Sequence, residues 1–272
     1  MMVRFTKSIS LLACLLYSAF PAISANAVET RPVPQDYTAI YKVLRNGKAL
    51  AKVTIKLSHE DDNWTLHGHT HDMKGLADLL NIKGSQTTTG KWQQGAFIPE
   101  EYQYSFSVVG YSTAWKANFD WPSGVVTTKN KKGQTRLPLD GGAIDPFSLS
   151  LNISSHLAKN QPIMRIDIVD ENEIDRQEYQ LEPGEAVDTA LGCMDTTRVK
   201  RIHKNPKRTS LVWYADEHNY IPVAMQHAKK NGNDLKMQII SLDINGQSIQ
   251  TRGPCASTAS ITRTAALSQT PQ

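Results

Sequence analysis

Along most of the chain, apolar or β-branched runs of six to ten residues alternate with short turn clusters. Tyr37 to Leu44 is followed by Asn46-Gly47, Ala49 to Leu57 by Glu60-Asp61-Asp62-Asn63, and the rhythm continues to Leu242. Asn-Gly between alternating runs is a strong signal for a two-residue hairpin, because both central residues must accept positive φ. Further strands are predicted over Tyr102–Val108, Thr113–Trp121, Gly124–Thr128, Ile163–Val169, Glu178–Leu181, Thr197–Ile202, Ser210–Tyr214, Pro222–Ala228 and Leu235–Leu242. Helical periodicity is scarce. A short helix fits Met73 to Leu80, and a longer one Asp145 to Lys159, with Asp145 as cap and Pro146 at the first helical position. The pattern therefore predicts a mainly β fold, a single large antiparallel meander with one or two short helices. A sheet of a dozen or more strands does not stay flat, so it should curl into a half-barrel or barrel enclosing an apolar cavity.

The ends of the chain do not share this pattern. Residues 1–27 read as a signal peptide: Arg4 and Lys7, an apolar run from Ile9 to Ile23, then Ala25-Asn26-Ala27 as a small-x-small cleavage site. The run is shorter than the roughly 20 residues of a membrane-spanning helix, so no transmembrane segment is expected after its removal. The rival is a lipoprotein box, Leu11-Leu12-Ala13-Cys14, but the apolar run continues well past Cys14. The expected location is the periplasm. Residues 28–250 read as one β-rich domain, and 251–272, rich in Ser, Thr, Ala and Pro, as a disordered tail.

Charge and cysteine content narrow the functional classes. Without the leader the chain holds 28 Lys+Arg against 26 Asp+Glu, a balance that argues against a dedicated nucleic-acid binder. Cys193 and Cys255 are then the remaining cysteines, and in an oxidising compartment they read either as one disulfide or as two separate thiols. Basic runs at Lys129–Gly133 and Arg198–Arg208 could meet anionic lipid head groups, and read equally as solvated hairpin tips. The stretch Gly84–Trp92 imitates a phosphate-binding loop with one residue too many and Trp in place of Ser or Thr. Gly-x-Ser-x-Gly is absent from the sequence.

One stretch offers chemistry. Leu66 to Gly75 sets His67, His69 and His71 at alternate positions. On a strand, adjacent members lie about 6.7 Å apart on one face and could share zinc, whereas the outer two, about 13 Å apart, could not. A zinc-assisted hydrolase would use His67 and His69 with a third ligand across the preceding turn, His59 being the nearest candidate. The other face of the strand, Trp64, Leu66, Gly68 and Thr70, reads as the packed side.

In order, Tyr37-x-x-x-Tyr41 with Gly47, Phe97-Ile98-Pro99-Glu100-Glu101-Tyr102, Phe119-Asp120-Trp121, Asp145-Pro146-Phe147-Ser148, Leu191-Gly192 and Trp213 followed by Ile221-Pro222-Val223 resemble the bacterial domain of unknown function 3108 family. The resemblance implies an exported envelope protein and supplies no reaction and no catalytic residues. The function expected is a non-enzymatic binding or carrier module for an apolar or lipid-like ligand. A zinc-assisted hydrolase and an envelope structural or assembly factor are the alternatives.

Overall fold

A computed structural model describes residues 35–255, except 73, 76–77, 79–80, 140–141, 159–162, 231, 233 and 252. The signal-peptide reading of residues 1–27 and most of the Met73–Leu80 helix reading lie outside these residues. The first eight strands are β1 (Tyr37–Arg45), β2 (Lys48–Glu60), β3 (Asn63–His71), β4 (Lys83–Gln93), β5 (Ala96–Val108), β6 (Tyr111–Asp120), β7 (Val125–Asn130) and β8 (Gly133–Pro138). A helix, α1 (Leu149–Leu157), interrupts them. The rest are β9 (Ile163–Asp170), β10 (Glu173–Thr189), β11 (Gly192–Ile202), β12 (Arg208–Ala215), β13 (Pro222–Lys229), β14 (Asp234–Ile244) and a short β15 (Gln247–Ser248).

All of them form one antiparallel sheet in the order β8-β7-β6-β5-β4-β3-β2-β1-β14-β13-β12-β11-β10-β9, with β15 beside β14. Each strand pairs with its sequence neighbour except where β1 meets β14, Tyr37 opposite Ile244. The turns follow the local chemistry: Asn46 and Gly47 sit at φ 49° and 76°, and Asp61 at 54°, the left-handed region that Gly, Asn and Asp tolerate best.

The sheet does not close by strand pairing, yet its ends come together. Residues 142–145 run beside the edge strand β9, where Ile144 N–H donates to Asp167 O at 2.9 Å and Val169 N–H to Ile144 O at 2.8 Å. Val169 of β9 then packs in one buried cluster with Tyr102, Trp115, Phe119 and Val126 of β5–β7. This segment covers the exposed polar edge of the last strand, a position that otherwise invites pairing with another chain.

Two sequence readings are corrected. The helix begins at Leu149, not Asp145, and residues 146–148 form a turn. Strand β10 is far longer than Glu178–Leu181, because Pro183-Gly184 is carried through as a bulge between Glu182 and Glu185 rather than ending the strand. A side chain at Gly184 would come within 2.3 Å of Thr196 O, so the bulge needs glycine there.

Register divides the sheet into two ends. One end, the base, carries the turns at 61–62, 94–95, 121–124, 190–191, 216–221 and 245–246. The main core lies there, with Trp64 edge-on to Phe97 at 5.3 Å and Leu57, Leu66, Leu191, Ile221 and Ile239 around them. The other end, the mouth, carries the turns at 46–47, 109–110, 131–132, 171–172 and the connection 203–207. Helix α1 inserts Leu151, Ile153 and Leu157 between the faces of the curled sheet, and Ser154 Oγ donates to Tyr220 O at the base at 2.8 Å.

Gly90 sits against this core, where an added Cβ would stand 2.0 Å from Ile98 O and 2.8 Å from Trp64 Cζ2. Backbone cannot yield as a flexible side chain does. Gly90→Ala is expected to destabilise by about 1–3 kcal/mol, the usual cost of overpacking, read as a lower urea midpoint with an unchanged slope.

Candidate functional site

Between the curled sheet and α1 lies a cavity of about 600 Å³. Its wall is built from the inward positions of the strands, which register fixes: Ile55 faces Gly68, Gly68 faces Gln86, and Gln86 faces Tyr104 across four neighbouring strands. Val53, Tyr41, Met237 and Phe106 add apolar surface, and Phe147, Leu149 and Ile153 close it from the helix side. Gly68 belongs here for a steric reason. Its missing side chain leaves room for the Phe147 ring, whose Cζ would lie 2.7 Å from a Cβ at that position.

Polar groups gather on one wall, toward the mouth. Arg201 donates from Nη2 to Asp175 Oδ2 at 3.0 Å, and Gln177 Nε2 donates to the same oxygen at 3.0 Å. Ser210 Oγ lies 2.8 Å from His203 Nε2 and 2.7 Å from His227 Nδ1. Burial, and then the neighbouring cations Arg201 and Arg208, hold the His203 imidazole below its ordinary pKa. Burial followed by Lys229, Arg208 and Arg201 does the same for His227. Both rings are therefore held toward the neutral form, in which each can share a proton with the serine hydroxyl. Sequence reasoning missed this cluster, because its members lie on strands, and for His203 on a connection, whose pairing no local motif announces.

The floor hangs on Asp145, which is fully buried. Its Oδ1 accepts Thr88 Oγ1 at 2.8 Å and the N–H groups of Phe147 and Ser148 at 2.8 and 2.9 Å. Ser148 Oγ donates to Oδ2 at 2.5 Å. Burial raises its pKa above the usual carboxylate range, and these four hydrogen bonds oppose that rise.

The sequence-predicted ligands are not brought together. His67 and His69 are exposed, and the rings of His67, His69 and His71 stand 5.5 and 5.4 Å apart between neighbours. Burial first, then the two flanking histidines, lowers the pKa of His69. His59 is on the other face: it lies opposite Trp64 in the β2–β3 register, whereas His67 lies opposite Lys56. Its Nδ1 is 2.8 Å from Asp36 Oδ1. A zinc ion shared by His67, His69 and His59 would have to reach through the sheet, so that ligand set is not assembled. Cys193 and Cys255 are joined as a disulfide, and Thr251 N–H bonds Leu191 O at 2.8 Å. The first residues assigned to the tail are thus docked on the β10–β11 hairpin. Asp188 lies beside the cysteines, but sulfurs bonded to each other are not thiolate ligands.

The family model of a protein of unknown function, DUF3108, matches residues 36–240. The chain belongs to the DUF3108 family. Among solved structures, this DUF3108 chain is similar to a β-barrel-like protein of domain of unknown function DUF1849 from Brucella abortus, at 12% identity and TM-score 0.52 over 78% of this chain and 99% of that one. It also matches a candidate lipoprotein from Parabacteroides distasonis (11% identity, TM-score 0.29, 78% of this chain and 97% of that one). A candidate exported protein with a YmcC-like fold from Bacteroides fragilis matches at 8% identity and TM-score 0.30, again over 78% and 97%. No curated protein matches the chain. The first likeness establishes a shared fold.

The marks that carried the family resemblance are structural in this DUF3108 domain. Phe97, Leu191, Ile221 and Val223 lie in the base core, Trp121 Nε1 donates to Pro99 O at 2.7 Å, and Asp145-Pro146-Phe147-Ser148 builds the floor. Asp145→Ala is expected to destabilise strongly, at about 1–3 kcal/mol for each buried donor left without an acceptor; Asp145→Asn, which keeps one carbonyl oxygen, should cost much less. The sign of the pH effect follows from linkage. With its native pKa raised, Asp145 contributes most to stability below its ordinary value and loses that contribution as pH rises through its native range. Urea midpoints of wild type and Asp145→Asn across acid to neutral pH should show that decline in wild type alone.

Proposed function

We propose that this protein is an exported, periplasmic binding or carrier module of the cell envelope that holds one apolar or lipid-like ligand and is not an enzyme. The observation that carries the reading is the cavity. At about 600 Å³ it falls within the roughly 300–1,000 Å³ of small-molecule sites. Its wall is mostly apolar, with a few convergent polar groups, Arg201, Ser210 and His227, on one side. That division suits an amphiphile, whose tail gains from leaving water while its polar end keeps hydrogen-bond partners. The turn that floors it is braced by four hydrogen bonds to Asp145. The fold itself hosts no single activity, and the argument rests on the site alone.

Native mass spectrometry and solvent extraction of protein purified from its own periplasm are expected to release an amphiphile. Met225 is 39% exposed and lines the cavity, so a larger ring there should occupy the space without disturbing the base. Met225→Trp should weaken uptake of an environment-sensitive apolar probe at least tenfold and leave the urea midpoint nearly unchanged. No extracted amphiphile, together with no saturable probe uptake by wild type, would overturn the reading.

A further inference from the structure

Meander topology places alternate turns at opposite ends of the sheet, and the surface chemistry of the two ends differs. At the mouth, the β7–β8 turn exposes Lys131 and Lys132, the β11–β12 connection exposes Lys204, Lys207 and Arg208, and β13 ends in exposed Lys229 and Lys230. Arg45 and Lys48 flank the β1–β2 turn on the same side. None of the seven residues on the first three elements is ion-paired to a described residue. Acid also occurs at this end, as Asp72, Asp78, the β9–β10 tip Asp170, Glu171 and Glu173, and Asp234, which lies opposite Ala228 beside the Lys229–Lys230 tip; the β7–β8 turn and the β11–β12 connection carry no acid of their own. The base has the reverse balance, with exposed Glu60, Asp61, Asp62, Asp120, Asp216 and Glu217 on its turns.

Apolar exposure follows the same division. Among the described residues the large hydrophobic side chains left exposed are Val109 at 68%, Tyr111 at 60%, Ile202 at 43% and Met225 and Leu235 at 39% each. Four of them lie at the mouth; Met225, midway along β13, lines the cavity. Val109 and Tyr111 stand on the β5–β6 turn next to the Lys131 tip, whose Nζ donates to Ser112 Oγ at 2.8 Å. Ile202 adjoins the Lys204–Arg208 connection, and Leu235 is the second residue of β14.

From this coincidence we infer that the mouth is a docking surface for an anionic lipid bilayer. Cationic tips held around a ring bring the protein to a negatively charged membrane surface, where each Lys or Arg near the head groups contributes independently. Val109 and Tyr111, an aliphatic and an amphipathic ring beside lysine, then enter the interfacial region, where such side chains find an apolar and a wet environment at once. A soluble acidic protein would explain the charges but gives no reason for exposed Val109 and Tyr111 to be set among them in a ring open at the centre. Docked this way, the open end faces the head groups. The inference rests on the outer surface of the mouth and does not require the cavity to be filled.

Co-sedimentation with vesicles of phosphatidylcholine plus phosphatidylglycerol, against phosphatidylcholine alone, tests it. Binding is expected to the mixed vesicles and to fall with added salt. Lys131→Gln/Lys132→Gln and Lys207→Gln/Arg208→Gln should each weaken it, by roughly fivefold per charge removed. Lys56→Gln/Lys116→Gln, which removes two exposed charges from the outer face of the sheet, should leave it almost unchanged. Tyr111→Ser should reduce the fraction bound that survives high salt. Equal loss in the wall variant and the mouth variants, or no preference for the mixed vesicles, would overturn the inference, and neither result would touch the cavity reading tested by probe uptake.

Discussion

One buried carboxylate holds the architecture together. Asp145 accepts hydrogen bonds from Thr88 in the middle of the sheet and from the turn that launches α1. The residue before it forms backbone bonds with β9 at the far edge. Sheet centre, helix and sheet edge therefore meet within two residues. A charge in such a place is costly, and four donors, three on Oδ1 and one on Oδ2, offset part of that cost. The brace ties the turn before α1, whose Phe147 lines the cavity, to the sheet.

The brace also marks a division of labour along the curled sheet. Below it, aromatic and aliphatic side chains fill the interior, with the Trp64, Phe97 and Trp92 rings in edge contacts at 5.3 and 4.8 Å. Above it, the inward positions change to Gln177, Arg201, Ser210 and His227, which hold one another through hydrogen bonds instead of packing tightly. Burial drives the Tyr37, Tyr41 and Tyr214 hydroxyls well above their ordinary pKa. They stay neutral on the boundary between the two zones, and Tyr41 donates to Pro222 O at 2.8 Å.

Much of this was legible in the sequence where the controlling physics is local. Period-two runs and turn residues such as Asn46-Gly47 located strands and hairpins, because positive φ selects few residues. The opposite faces of β3 were also legible, since parity within one strand is fixed. Parity across a turn is not. His59 and His67 look like partners in sequence, but the β2–β3 turn sets His59 opposite Trp64, and that places it on the inner face. The long β10 was hidden because Pro183-Gly184 signals a break unless a neighbour accommodates a bulge. Asp145 was read as a cap, and its carboxylate does receive the turn's N–H groups; the bond to Thr88, fifty-seven residues away, had no sequence signal. The polar wall of the cavity and the charged mouth depend on strand order, which only the folded chain reveals.

The β1–β14 pairing carries a consequence for how such a molecule is made. Every other neighbouring pair in the main sheet joins consecutive strands and can zip as the chain lengthens, but β1 sits at the centre with its second partner supplied by residues near 240. A chain delivered N-terminus first would keep Tyr37 to Arg45 half-paired, with an open polar edge, until nearly all of the chain had arrived. Such non-local closure is entropically expensive and slow. The half-made sheet would be two separate meanders, each with an exposed edge, joined only when β14 docks. The same seam that unites the finished sheet is thus the interval during which the nascent protein is most exposed to pairing with a neighbour.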